Sequence, residues 1–209
     1  MTMAKNLFNP ESSFWSFIAK LFDVLALSLL FCVCSLPVVT LGPAAAALYD
    51  CSARCVRGGE SGVYARFFRT FKNECKTGVL TTLLWLAVWA ALYALYALTV
   101  TVANTGVPYM IVAKYAFLLL GLVPAGVTCW LFPLLSRFTL SFRQLNRAAF
   151  QVAMTHLPRT LLCVLIAGLC ITACVLWLLP LVCLPCLMML LFSLVMEPVM
   201  HKLAEHASA

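Results

Sequence analysis

Two long stretches of this chain carry no charged residue at all, one between Lys76 and Lys114 and one from Thr160 to Met196. A helix crosses the roughly 30 Å hydrocarbon core of a bilayer in about 20 apolar residues, so each stretch is too long for one crossing and too apolar for a water-facing helix. Each must therefore fold back on itself. Asn104-Thr105-Gly106-Val107-Pro108 supplies the turn in the first stretch, and Pro180 to Pro185 marks a tight hairpin in the second. Composition agrees: 64% of the 209 residues are hydrophobic and 10% charged, with a mean hydropathy of +1.02. Soluble domains run at roughly half apolar and a quarter charged. The solvent for most of this surface is lipid.

With short connections, this length holds about five spans and no sizeable soluble domain. The expected architecture is all-α: one polytopic membrane domain, residues 1–209, with spans near 14–36, 77–103, 109–135, 160–179 and 181–196. Asn9-Pro10-Glu11 reads as a helix start, with an N-cap, a proline at the first position and an acid at the positive end of the dipole. No cleavable leader is visible, so the first span is expected to stay as the targeting signal. Pro37 and Gly42-Pro43 break that span, leaving Ser35 to Gly42 as a non-helical segment. Residues 43–56 resume helical character but carry Asp50 and Arg54, too polar for a separate crossing. Glu197 to Ala209 reads as a short polar tail.

Two connections differ from the rest. After Gly58-Gly59-Glu60-Ser61-Gly62, the residues Val63, Phe67, Phe71 and Cys75 recur every four positions, with Arg66, Arg69, Lys72 and Lys76 around the remaining circumference. In residues 138–155, Phe142, Leu145, Ala149 and Val152 form a stripe opposite Arg143, Arg147 and Gln151. Both segments, 61–76 and 138–155, read as amphipathic basic helices. Six of the fourteen basic residues lie between Arg54 and Lys76 and four between Arg137 and Arg159, while the two turns hold none. The positive-inside rule then puts both basic helices in the cytoplasm, the N-terminus outside and the C-terminus inside. Span, basic helix and span recur in order, which hints at a tandem duplication.

Few residues suggest chemistry. The eleven cysteines lie mainly in apolar runs, where a free thiol behaves as a small hydrophobe. Cys183-Leu184-Pro185-Cys186 has redox spacing without the strand–helix context that makes it informative. His156, His201 and His206 do not have the spacing of metal ligands. No metalloprotease, phosphate-loop or nucleophile-elbow pattern is found, and no cofactor is implied. An enzyme is the least supported class, with a lipid-facing membrane enzyme as its only form. Lys20 and Asp23, one turn apart near the start of the first span, can pair or snorkel to the interface.

The surface helices are candidates for lipid anchoring or for docking a cytoplasmic partner, through Arg66, Arg69, Lys72, Lys76, Arg143 and Arg147. Nucleic acid is not an expected partner, since no binding module appears. The broken segment, with Pro37, Thr40, Gly42 and Asp50, must be buried in protein or line a cavity. Asp50 can equally pair with Arg54 at i+4 on a helix.

Several of these segments carry a resemblance. Phe8-Asn9-Pro10 with Phe14-Trp15, then Ser35-Leu36-Pro37-Val38-Val39-Thr40-Leu41-Gly42 and Ala47-Leu48-Tyr49, are similar to the opening of the YesL family, small bacterial integral membrane proteins of unknown function. Phe67-Phe68-Arg69-Thr70-Phe71-Lys72, Phe132-Pro133-Leu134-Leu135-Ser136-Arg137-Phe138 and Leu157-Pro158-Arg159-Thr160 resemble its later motifs. Ala46, Cys75 and Ser136 depart from the residues expected there. The resemblance implies a bacterial plasma membrane and an association with carbohydrate uptake, and it supplies no mechanism. The expected role is therefore non-enzymatic: an accessory or regulatory component of solute uptake, with a transporter subunit as partner. The alternative is a small stand-alone transporter, as a homo-oligomer, with the break lining its path.

Overall fold

The computed structural model describes residues 13–60, 62–103, 109–138, 140–176 and 183–208. The expected helix start at Asn9-Pro10-Glu11, the Asn104–Pro108 turn, Pro180 and the side chains of His201 and His206 lie outside the described residues. Among the described residues there is no strand. Eight α-helices lie among them, in order: α1 Ser13–Cys34, α2 Leu41–Cys51, α3 Val63–Asn73, α4 Cys75–Ala103, α5 Tyr109–Arg137, α6 Phe142–Thr155, α7 Leu157–Leu176 and α8 Leu184–Ser208. A 3₁₀ turn at Val38–Thr40 precedes α2, and a π-helical segment, Ser52–Arg57, prolongs it.

Among the described residues, three helical stretches are long and apolar enough to cross a membrane: Cys75–Thr101, Tyr115–Arg137 and Leu157–Leu176. Leu184–Met200 is apolar but shorter. Leu98, Leu119, Leu169, Val175 and Leu176 stand well exposed along these helices. In water such an area would drive aggregation, whereas against lipid it costs nothing. The chain is an all-helical, polytopic membrane protein.

The first correction concerns residues 35–56. The expected non-helical segment Ser35–Gly42 narrows to Ser35–Pro37, because the 3₁₀ turn and then α2 take up the chain from Val38. Pro37 ends α1, and the hydroxyl of Thr40 reaches back to the carbonyl oxygens of Cys34 at 2.6 Å and Pro37 at 2.7 Å. Two acceptors freed by the break are thus met within the protein, but the segment is not buried as expected: Leu36, Val38 and Val39 are exposed. Nor is α2 a peripheral piece: every residue from Gly42 to Cys51 is buried. Its alanine run suits a helix, and its slim surface lets other helices close around it. Against α4 the approach is backbone to backbone. A Cβ on Gly42 would overlap the Thr82 hydroxyl and stand 2.7 Å from the Gly78 carbonyl oxygen, and a Cβ on Gly78 would meet Pro43 Cδ at 2.9 Å.

A second correction concerns the C-terminal end. The segment read as a polar tail from Glu197 continues the helix, since α8 runs on to Ser208. Pro198 lies inside it. Glu197 thereby becomes part of the packed bundle, beside the buried Met196, Val199 and Met200.

Both basic segments are helices, with shifted ends. The first begins at Val63, after Gly62 at φ +85°, a conformation that glycine adopts without strain. The second begins after Ser141, whose side chain forms a capping box with Gln144. They meet the rest of the protein at one end of the bundle. α5 ends at Arg137, α4 opens with Cys75-Lys76, and Trp85 Nε1 on α4 donates to Asn146 Oδ1 on α6 at 2.9 Å.

Candidate functional site

Polar chemistry concentrates at that basic end, in two charged clusters on different sides of α2. The first is built on Asp50, whose side chain is 6% exposed. Arg54 Nε lies 3.0 Å from Oδ1, an ion pair within one helical turn that is not aligned as a hydrogen bond. On the other oxygen, Oδ2, Arg66 Nε donates at 2.8 Å and the Thr70 hydroxyl at 3.1 Å. Arg66 also pairs with Glu60. Burial alone would lower the pKa of Arg66, but the hydrogen bond and charge of Asp50, with Glu60 behind, carry it above its ordinary value. The expected Asp50–Arg54 pair is present, and it is half of a larger staple between α2 and α3.

That staple changes the reading of the first basic helix. Its stripe does not face lipid headgroups. Phe67 is 0% exposed and, with Val63, packs into the protein core, while Phe71 stacks on Phe67. What remains outside is Tyr64, Phe68 and the cations. Arg66 is half-buried in the staple, so it is a structural residue. Arg69, Lys72 and Lys76 are exposed, with no ion pair or hydrogen bond among the described residues. The second basic helix repeats the pattern: Leu145, Ala149, Val152 and Ala153 are buried, and Arg143 and Arg147 are exposed and unpaired.

The second cluster was not anticipated. Arg137, the last residue of α5, pairs with Glu197 of α8. Arg57, the last residue of the π-helical segment, donates through Nη1 to the Ser193 carbonyl oxygen at 3.1 Å. Together with Ala53, Gly58 and Pro198 these residues line a depression of about 500 Å³. Two buried donors lack a partner: Nε of Arg137, which lines the depression, and the hydroxyl of Tyr49, which is fully buried and does not line it. The Tyr49 hydroxyl is pushed above its ordinary pKa by burial first and by Glu197 second, with Arg137 and Arg57 pulling the other way. It is therefore a neutral O–H donor, within electrostatic reach of all three charged residues. The signal in the sequence was faint: Arg137 and Glu197 each end an uncharged stretch, and both stretches reach the same side.

Pro37, Thr40, Gly42 and Asp50 line none of the cavities described here; Gly42 serves the α2–α4 crossing and Asp50 the staple. Their neighbours Leu41 and Ala45 do border a cavity of about 480 Å³ reaching Trp89, Phe132 and Met188. It shares Trp89, Ala125 and Val164 with a second cavity of about 450 Å³. Both are walled by apolar and aromatic side chains, with no charged group. Cys186 of the Cys183–Cys186 pair is buried, with Sγ 3.4 Å from the Ser52 hydroxyl, and both cysteines are free thiols. Among the described residues no group of histidine, cysteine and acidic side chains is arranged to hold a metal.

Comparison with known proteins accords with the motifs. A family model described as a protein of unknown function, DUF624, matches residues 24–96. The uncharacterized protein YesL of Bacillus subtilis (strain 168) is 29% identical over 163 residues, covering 78% of this chain and 75% of that protein. No solved structure matches. The whole Asp50 staple falls inside the matched segment, while Arg137 and Glu197 lie beyond it.

Proposed function

We propose that this YesL-like chain is a non-enzymatic accessory or regulatory component of solute uptake, carbohydrate uptake in particular, that docks a cytoplasmic partner on its basic end. One observation supports the reading above others. Arg69, Lys72, Lys76, Arg143 and Arg147 are exposed and unpaired on two helices whose apolar stripes the protein's own core already uses. A helix meant only to float in the headgroup plane keeps its stripe free for lipid. Helices seated on protein present a fixed pattern of charge, and fixed charge gives specificity and fast association with an acidic partner. A transporter subunit or its ATPase fits that description. The plasma membrane, five crossings and a cytoplasmic basic end belong to the same proposal.

The rival reading, a transporter in its own right, has less support. A path for a polar solute needs polar groups at membrane depth, and the two cavities that share Trp89, Ala125 and Val164 are walled mainly by apolar and aromatic side chains. Co-purification from native membranes should recover a transporter subunit, and charge reversal at Arg69, Lys72 and Arg143 should abolish its recovery. Arg66 is left intact in that test because its loss would damage the fold. Uptake by the purified protein alone in liposomes would overturn the accessory role. Labelling of a cysteine introduced at Gln144 from outside intact cells would overturn the orientation.

A further inference from the structure

The depression between α2, α5 and α8 has features that neither the docking reading nor the packing of the bundle uses. Its three charged lining residues are Arg57, Arg137 and Glu197, an excess of one positive charge. Glu197 and Arg137 satisfy each other in part, yet Arg137 Nε remains buried without an acceptor. Arg57 commits Nη1 to Ser193, and a guanidinium has five N–H groups, so donors remain. Tyr49 adds a hydroxyl that is fully buried and also lacks an acceptor. A buried donor left unpaired costs about 1–3 kcal/mol, so Arg137 Nε at the depression, with the Tyr49 hydroxyl within electrostatic reach of the same charged residues, is a sign of an acceptor that comes from outside.

Position points the same way. Arg57 closes a π-helical segment, a distortion frequently found at functional sites. Gly58 follows it with no room for a side chain, since a Cβ there would run into the Arg54 carbonyl oxygen. Arg137 ends the apolar stretch Tyr115–Arg137, which places the depression at the boundary between hydrocarbon and water.

We propose that this depression binds a phosphate group, borne by an anionic lipid headgroup or by a free phosphoryl compound. Three donors, Tyr49 and Arg57 from α2 and its π-helical extension and Arg137 from α5, suit the several oxygens of a tetrahedral phosphate better than the two of a planar carboxylate. Arginine is the residue best matched to phosphate. Glu197 adds an acceptor, suited to a phosphate that retains a proton or to a neighbouring hydroxyl. The volume of about 500 Å³ leaves room for a headgroup or sugar attached to the phosphate.

The test uses the purified full-length protein in phosphatidylcholine nanodiscs, followed by thermal unfolding. Inorganic phosphate and glycerol 3-phosphate form one arm, and nanodiscs containing phosphatidic acid form the other. At saturation the expected rise in the unfolding midpoint is about 4 °C, in the first arm for a soluble ligand and in the second for a lipid. Tyr49→Phe removes only the unpartnered hydroxyl, so without ligand it should unfold no earlier than the wild type. With ligand, Tyr49→Phe and Arg57→Gln should each raise the half-saturating concentration about tenfold. Charge reversal at Arg69 and Lys72 should leave the response unchanged, which separates this site from the docking surface. The proposal is overturned if neither arm shifts the midpoint, or if sodium chloride at matched ionic strength shifts it equally. It is also overturned if both variants respond like the wild type.

Discussion

Tyr49 and Asp50 are neighbours on one helix, and they face two charged clusters of opposite character. Around Asp50 every contact closes inward: two guanidinium groups and a hydroxyl meet one carboxylate and join α2 to α3. Around Tyr49 the pairing is incomplete, with a depression bordered by Arg57, Arg137 and Glu197 and two buried donors unspent. Charge alone does not distinguish a structural site from a binding site. What distinguishes them is how the atoms without a hydrogen bond are placed: Asp50 Oδ1 and Arg54 Nε face each other at 3.0 Å as opposite charges, whereas Arg137 Nε and the Tyr49 hydroxyl have no such counterpart. A cluster whose charges face one another holds elements together, and one with an unmatched donor beside open space is prepared for something else.

Four substitutions put that contrast at risk, and unfolding in detergent measures each. Asp50→Asn strips the staple of its charge and leaves Arg54 and Arg66 facing each other; a loss of about 3 kcal/mol is expected, in line with breaking a buried ion pair from one side. A loss near zero would mean that the Asp50 cluster is not a staple. Gly42→Ala drives a methyl into the Thr82 hydroxyl and the Gly78 backbone, so α2 must move; overpacking of this kind costs about 2 kcal/mol. If Gly42→Ala is neutral, the α2–α4 crossing is looser than the distances imply.

Arg137→Gln removes the partner of Glu197 in a half-buried, partly open setting, where about 1 kcal/mol is expected. A cost equal to that of Asp50→Asn would erase the difference between the two clusters. Tyr49→Phe is expected to have the smallest effect and the opposite sign, a gain of up to about 1 kcal/mol, because the hydroxyl it removes is buried without a partner. A clear loss of stability would show that the hydroxyl is already in use.

Legibility followed sequence distance. The Asp50–Arg54 pair was readable because an i,i+4 spacing on a helix fixes the meeting of two side chains without reference to anything else. Arg66 was read as a free surface cation because its helix was assigned to the membrane plane. Which way that helix rolls depends on Phe67 finding the protein core rather than lipid, and both are equally apolar. Arg137 and Glu197 lie on α5 and α8, and no periodicity links two residues so far apart. The break at Pro37 is legible, but the burial it implies falls on the helix after it, Gly42–Cys51, and not on the exposed Leu36–Val39. Proline announces where a helix stops, not what packs on the next one.

The chain by itself determined that it is helical, that it lives in lipid, and that its basic residues gather on one side. These follow from local rules: the number of apolar residues needed to cross a bilayer, the period of a helix, and the cost of charge in hydrocarbon. Only the tertiary structure decided that the alanine-rich α2 lies at the centre, that the first basic helix buries its stripe in protein, and that Arg57, Arg137 and Glu197 share a depression. The reason is that apolar side chains gain nearly the same from lipid as from one another. Inside a membrane, close packing of small residues and the pairing of the few polar groups choose among arrangements that hydrophobicity leaves equal.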